Sequence, residues 1–476
     1  MRKRKLKGSV TVFLSMCLSA FLLIMTLLIR LGIINGEKER FEIATDVSLN
    51  SVLGEYGKNL YEHYDLLYID PSYTDRAPEI GNTGGRLGLY LRKNTENVLR
   101  GQEAPWGRIS ISESEITAYR TAAFKEGSSM RSQANRYVNE ATSAAPSKEE
   151  VSEAYPFTEA AALLEEVDTF GEWSALMEFI EGKEKPVIRK EDGTLRIVEV
   201  SNPADWVYAL AGSEILYAAG IGIGDIPAAD IDTGSLISNR GAADEGIPGE
   251  GMDTGEADTD KETFLSYLTD RMGSRDHMRE ERLLKCELEY VISGRENDYS
   301  NYREAMERIF RIRFADNAGL ARNDAGLKGE AVLAAEMLEI CALDPSFIDP
   351  VAESILYAAA YLETLCDLKS LSEGGRVPLL KTSHHMSVDH VLEGTEYSAE
   401  SGEGFTYRQY LILLMGMEED VMLNFRAMDL MELEIRRLDS NPGFRMDRCI
   451  ERMNVSIGAS GSGIGEYRVR RTYGYY

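Results

Sequence analysis

Basic charge is in short supply in this chain. Its 476 residues carry 52 Lys and Arg against 79 Asp and Glu, a formal net charge of −27. A surface that acidic repels nucleic acid and anionic lipid headgroups, so neither is expected as a partner, and solubility is the plain use of the excess. Histidine is scarcer still, with five residues in all. Three of them, His384, His385 and His390, fall with Asp389 in "SHHMSVDH". Imidazoles and a carboxylate suit Zn²⁺, but the spacing matches neither two histidines on one helical face nor HExxH, so no metal site is expected. Of five cysteines, Cys17 lies in an apolar run near the start, and Cys286, Cys341, Cys366 and Cys449 lie far beyond it. None forms a CxxC or zinc-like spacing; isolated thiols on apolar helix faces are the plain reading, and four cysteines leave three pairings open. GxSxG and a Cys/His nucleophile pattern are also missing. "GNTGGRLG" (Gly81 to Gly88) has the glycines of a phosphate loop without the Lys-Ser/Thr, and "GASGSGIG" near the end reads as a turn between strands. Carboxylates are plentiful, yet nothing in their order pairs two across a cleft. No catalytic residue, metal ligand or cofactor is expected, and the chain does not read as an enzyme.

What the chain does have is one long apolar run. Ser9 to Ile29 is free of charge and rich in Leu, Ile, Val, Met and Phe, with Val10, Phe13, Leu14, Phe21, Leu22 and Leu27 as its bulk. As a helix it reaches roughly 31 Å, the thickness of a bilayer's hydrocarbon core. A cleavable signal has a shorter apolar core and a small-x-small cut site; here Arg30 ends the run and Leu31, Gly32, Ile33 and Ile34 follow. A single spanning anchor over 9–34 is the expectation. Arg2, Lys3, Arg4, Lys5 and Lys7 mark residues 1–8 as a cytoplasmic leader, which puts the acidic remainder outside the cell membrane.

Helical spacing resumes past Asn35-Gly36, where a turn could loosen it. Phe41, Ala44 and Val47, then Val52, Tyr56, Leu60 and Tyr64, predict a helix nearly continuous from Ser9 to about His63. Ile109 and Ile111 alternate as a strand leading into a helix over 118–139, and a second helix is expected over 156–180. Residues 35–219 are read as an αβ region. Gly, Asp, Glu, Ala and Pro dominate 220–260, which predicts a solvated linker or loop. Residues 261–440 form a run of amphipathic helices, with Met- and Leu-rich stripes as core. In 441–476 "NVSIGAS" and "EYRVRRTYGYY" read as two strands, the last pairing with strands that follow the membrane helix. The ends of the chain then close one unit, and the helical middle is inserted. The fold class expected is α+β, mainly helical.

"KGSVTVFLSMCL" and "SVLGEYGKNLYEHYDLLYID" resemble the start of an uncharacterised family of Gram-positive membrane proteins associated with Tad-type (tight adherence) pilus and secretion loci. "LEYVISGRENDYSNYREAMERIFRIRFADN", "SLSEGGRVPLLKT", "FTYRQYLILLM" and the terminal "TYGYY" continue the resemblance over most of the chain. The N-terminus is also similar to TadE/TadG-like pseudopilins, in which a prepilin peptidase cuts after a glycine. That resemblance implies Gly8 before the cut and Ser9 as the new N-terminus. It departs at the fifth mature position, where such pilins carry a glutamate and this chain has Phe13. The resemblance implies a minor pseudopilin-like component whose partners are other pilus or secretion subunits. The alternatives are an anchored surface binding protein or adhesin independent of any pilus, and an anchored hydrolase using the His384–His390 cluster.

Overall fold

The computed structural model describes all residues except 1–7, 97, 100–101, 104–108, 141–145, 223, 225, 227–228, 253–258, 383, 395–401, 462 and 476. The basic leader therefore lies outside the described residues. The fold is α+β and mainly helical, as expected. It divides into two compact units: Met1–Gln133 with Ala242–Ala257 and Met431–Tyr476, and Ala134–Gly241 with Asp258–Leu430. The two ends of the chain thus build one unit, and the second is inserted between them. The boundaries fall inside the helices Phe124–Glu140 and Asp420–Leu438, so neither 35–219 nor 261–440 is a single region.

The first unit is organised by helix α1, Gly8–Leu53. Asn35-Gly36 makes no turn; four residues of good helical spacing on either side carry the helix across it. The helix does stop earlier than His63. Gly54 and Gly57 break it after Leu53, and a separate helix covers Lys58–Tyr64. The buried positions of α1 all lie in its second half: Glu37, Phe41, Ala44, Thr45, Ser48, Leu49 and Val52. That spacing is a single stripe along one face. It packs with helix α2, Ile80–Thr95, on a four-stranded antiparallel sheet. The glycines of "GNTGGRLG" lie inside α2 and make no loop.

The strands are β1 (Ile109–Thr121), β2 (Gly246–Ile247), β3 (Ile450–Gly461) and β4 (Gly465–Gly474), in the order β2-β1-β3-β4. Alternation on β3 sends Met453, Val455, Ile457 and Ala459 into the core with Phe41, Leu49, Val52, Leu87 and Leu91. The last strand does not pair with a strand from the segment that follows the membrane helix. β3 pairs with β1, through three register shifts, and among the described residues β4 pairs only with β3. The tight Gly/Ser turn requires this, since strands joined so closely pair first with each other. A polar knot fastens the loop after Tyr64. Asn441 donates to Asp70 Oδ2 (3.0 Å) and Ser72 Oγ (2.8 Å), and burial pushes the Asp70 carboxyl up.

The stretch 220–260 is not a solvated linker where it is described. It holds the short helix Ile237–Arg240 and strand β2, and Leu236, Ile237 and Met252 are fully buried. A few apolar anchors suffice to dock a segment whose overall composition is polar. The helix expected over 156–180 is two, Thr158–Glu165 and Thr169–Gly182, because Asp168 accepts from Gly171 N and starts a new helix. Pro146 opens a further helix, Pro146–Ala154.

In the second unit the helices α3 (Glu287–Ser293), α4 (Asp298–Asn323), α5 (Ile348–Ser372) and α6 (Tyr407–Met417) carry many of the buried residues. Trp173 fills the centre among Phe314, Tyr357 and Tyr361. Glu289 on α3 is fully buried. Its Oε1 accepts from Arg275 N (2.8 Å) and the Tyr407 hydroxyl (2.9 Å), while Oε2 has no hydrogen-bond partner among the described residues. Burial raises its carboxyl to about 8. The folded chain therefore holds a proton that the unfolded chain releases near 4.5, and stability falls as pH rises between those values. Glu289→Gln, which mimics the protonated acid, is expected to flatten that slope and to raise the melting temperature at pH 8 more than at pH 5. Parallel melting curves for the two proteins across this range would contradict it.

Candidate functional site

The feature of this molecule that demands a partner is the first half of α1. From Gly8 to Ile33 every residue is exposed, including Val10, Phe13, Leu14, Phe21, Leu22 and Leu27. Phe13 is 67% exposed and Leu23 69%. At about 100° per residue, Val12 and Leu23 lie opposite Val10 and Leu28, so the apolar surface runs right round the helix. The hydroxyls of Thr11, Ser15, Ser19 and Thr26 return to backbone carbonyls within the helix and so need no outside partner. A helix that is apolar on all sides belongs in a core or a bilayer. Among the described residues this is the one helix long and apolar enough to cross a membrane.

A short distance further on, the same helix is bolted to the C-terminal hairpin. Glu37 is 4% exposed, and its Oε2 accepts from the backbone N–H groups of Gly463 (2.8 Å) and Ile464 (3.1 Å) in the β3–β4 turn. A Cβ on Gly463 would meet Glu37 Oε2 at 2.7 Å, so a side chain there would push the carboxylate off the turn. One turn on, the Tyr467 hydroxyl donates to Glu42 Oε1 (2.6 Å), and Arg471 reaches Glu42 (3.0 Å) and Asp46 (3.2 Å). The Tyr467 hydrogen bond, assisted by Arg471, holds the Glu42 carboxyl below its usual range. Tyr475 closes the row by donating to the Leu53 carbonyl at the end of α1 (2.6 Å). Sequence pattern alone does not pair Glu37, Glu42 or Asp46 with Tyr467, Arg471 or the β3–β4 turn. The signal was Glu37 itself, a carboxylate four residues before Phe41 on the apolar stripe, where burial demands partners.

Glu37→Ala removes the acceptor for two backbone donors at once. Each orphaned donor costs about 1–3 kcal/mol where water cannot replace the bond. The variant is expected to melt several degrees lower and to be cut by protease at the β3–β4 turn. Glu37→Gln keeps an acceptor oxygen and should lie much closer to the parent. A Glu37→Ala protein that melts and resists protease like the parent would show that the tie contributes nothing.

Gly8 and Ser9, the residues of the expected processing point, are the first of α1 and are exposed. The histidines do not gather into one centre. His384 Nε2 lies 3.5 Å from Asp324 Oδ2, and His390 sits on the separate helix Val388–Glu393. Among the described residues no three His, Cys, Asp or Glu side chains are grouped to hold a metal. All five cysteines are free thiols; burial pushes those of Cys286 and Cys449 up, which makes them inert.

No curated protein and no solved structure matches this chain. A family model does, over residues 195–461, which is more than half of the chain. The match takes in α3 to α6 and ends with β3, so α1 and β4 lie outside it. The chain belongs to the family of unknown function DUF5702.

Proposed function

We propose that this protein is a non-enzymatic, single-pass membrane subunit of a Tad-like pilus or secretion apparatus. Gly8 to Ile34 lie in the bilayer, the basic leader is cytoplasmic, and everything past the span is extracytoplasmic. The observation that carries the reading is the continuity of α1. An anchor that only tethers a domain works as well through a flexible linker. Here one 46-residue helix, about 69 Å long, passes from a bare apolar half into a half locked by Glu37, Glu42 and Asp46. The first unit is thereby held in a fixed orientation to its membrane helix, which is what a subunit built into an assembly needs.

Phe13 refines the reading. A carboxylate in hydrocarbon is costly unless paired, so subunits that carry one use it to select a neighbour. A chain with Phe13 forms no such pair, which favours a minor, tip or initiating role over a repeating shaft subunit. Prepilin peptidase is the expected processing partner at Gly8-Ser9, and other pilus or secretion subunits are the assembly partners.

The test is the mature N-terminus and membrane partition of the protein in its native host. Membrane-bound protein beginning at Ser9 and co-purifying with pilus subunits is the expected result. An intact N-terminus with no co-purifying subunit would leave a pilus-independent surface binding protein or adhesin. A soluble chain starting past Ile34 would overturn the anchor.

A further inference from the structure

β4 closes one side of the sheet, and among the described residues no strand pairs with its far side. It is long for a free edge. Ten residues pair with β3 in unbroken register, without a bulge or a proline, whereas the β1–β3 pairing shifts three times. Natural sheets blunt such edges by shortening, bulging, covering or charging them, because the unpaired N–H and C=O groups are a template for another strand. Among the described residues β4 is neither shortened nor bulged, and charge is the device it carries. It carries Arg468, Arg470 and Arg471 against one acidic residue, Glu466, in a chain whose net charge is −27.

The arginines are not equivalent. Arg471 faces α1 and is held by Glu42 and Asp46, and Arg468 reaches across the Gly458 backbone to Glu113 on β1. Arg470 is exposed, opposite the small Ser456, and no ion pair or side-chain hydrogen bond engages it among the described residues. The edge therefore presents a strand template with a free cation in its middle.

We propose that the β4 edge docks an extended segment of another protein by strand addition, and that the segment carries acidic residues at alternate positions. Its acids face Arg468 and Arg470 on the outer face of the sheet, and its intervening residues continue the row of Tyr467 and Tyr473. A second copy of β4 is a poor occupant. Antiparallel pairing about Val469 sets Arg468 against the copy's Arg470, and pairing about Arg470 sets it against itself; like charges directly opposed across strands destabilise a sheet. The proposal is independent of whether the anchor serves a pilus.

The test uses the full chain in neutral detergent and a fluorescent ten-residue peptide in which glutamate alternates with valine and tyrosine. Saturable binding of this peptide is expected, with none for the same peptide carrying lysine in place of glutamate. N-methylation of one alternate set of its amides should abolish binding, and of the other set should spare it, because one side of an added strand pairs with the edge. Arg470→Glu should weaken binding by about tenfold or more, since rim-exposed charge sets the encounter. Its melting curve should match the parent's. Amide hydrogen exchange in 465–474 should slow when the glutamate peptide is added to the parent protein. No binding of the glutamate peptide, equal binding of the lysine peptide, or indifference to N-methylation would each overturn the proposal.

Discussion

A chain ending before Tyr467 is expected to lose the fold of the first unit. Edge strands are often dispensable, and β4 is an edge strand, so the outcome turns on what its side chains hold. Val469 is 3% exposed in the core, and Tyr467, Tyr473 and Tyr475 pack against that core from the rim. A fully buried large apolar side chain contributes about 1.5–3 kcal/mol. Losing one such residue and three half-buried tyrosines approaches the stability of roughly 5–15 kcal/mol that holds a typical domain. The truncation also strips Glu42 and Asp46 of their cation and the Leu53 carbonyl of its donor. Full-length and truncated proteins, both in detergent, should differ in near-ultraviolet circular dichroism, with aggregation of the truncated chain. A truncated chain that stays soluble and melts cooperatively would refute this placement of β4. Tyr475→Phe, which removes one hydrogen bond and little area, should cost only about 1 kcal/mol.

The second large effect is expected at Arg313 in the helical unit. This guanidinium is fully buried on α4. It donates to Asp367 on α5 (3.1 Å), to Asp316 (2.9 Å), to Asn317 (3.2 Å) and to the Leu379 carbonyl (2.6 Å). Lys381 enters the same cluster through Glu363 (2.6 Å) and Asp367 (2.7 Å). The network pins the loop carrying Leu379 and Lys381 to two core helices. Arg313→Met leaves the buried Asp367 and the half-buried Asp316 without their guanidinium, and breaking a buried ion pair from one side costs about 3–5 kcal/mol. Arg313→Lys should rescue little, because an ammonium cannot reproduce the fork that reaches four acceptors. Combining Arg313→Met with Asp367→Asn should cost less than the two single changes summed, since they remove opposite charges from one cluster. A loss below about 1 kcal/mol in denaturant unfolding of Arg313→Met would show that the network is not what holds the loop.

Both effects bear on what the sequence made legible. "RIRFADN" and "GGRVPLLKT" stood out as segments of a resemblance, without a physical reason. The reason is that each contributes a charge to one buried cluster, and no periodicity reports a partner 50 or more residues away. The terminal strands were legible because alternation is local, yet their partners were not. A hairpin turn dictates that β4 meets β3, while the pairing of β3 with β1 depends on which inward faces fit over α1 and α2. The segment 220–260 misled for the opposite reason: its composition is that of a loop, and a few buried apolar residues decide its course.

By itself the sequence determined the apolar run and its helical length, the absence of enzyme motifs, the mainly helical class and the closure of one unit by both chain ends. These follow from short-range pattern and composition, which every ten or twenty residues express on their own. Only the tertiary structure decided that α1 stops at Leu53, that Glu37 is a buried tie to the β3–β4 turn, that Arg313 is enclosed by carboxylates, and that β4 ends the sheet with its far side open among the described residues. The last three depend on residues distant in the chain meeting in space. The free energy involved, from desolvating a charge or pairing an edge, exists only once they have met.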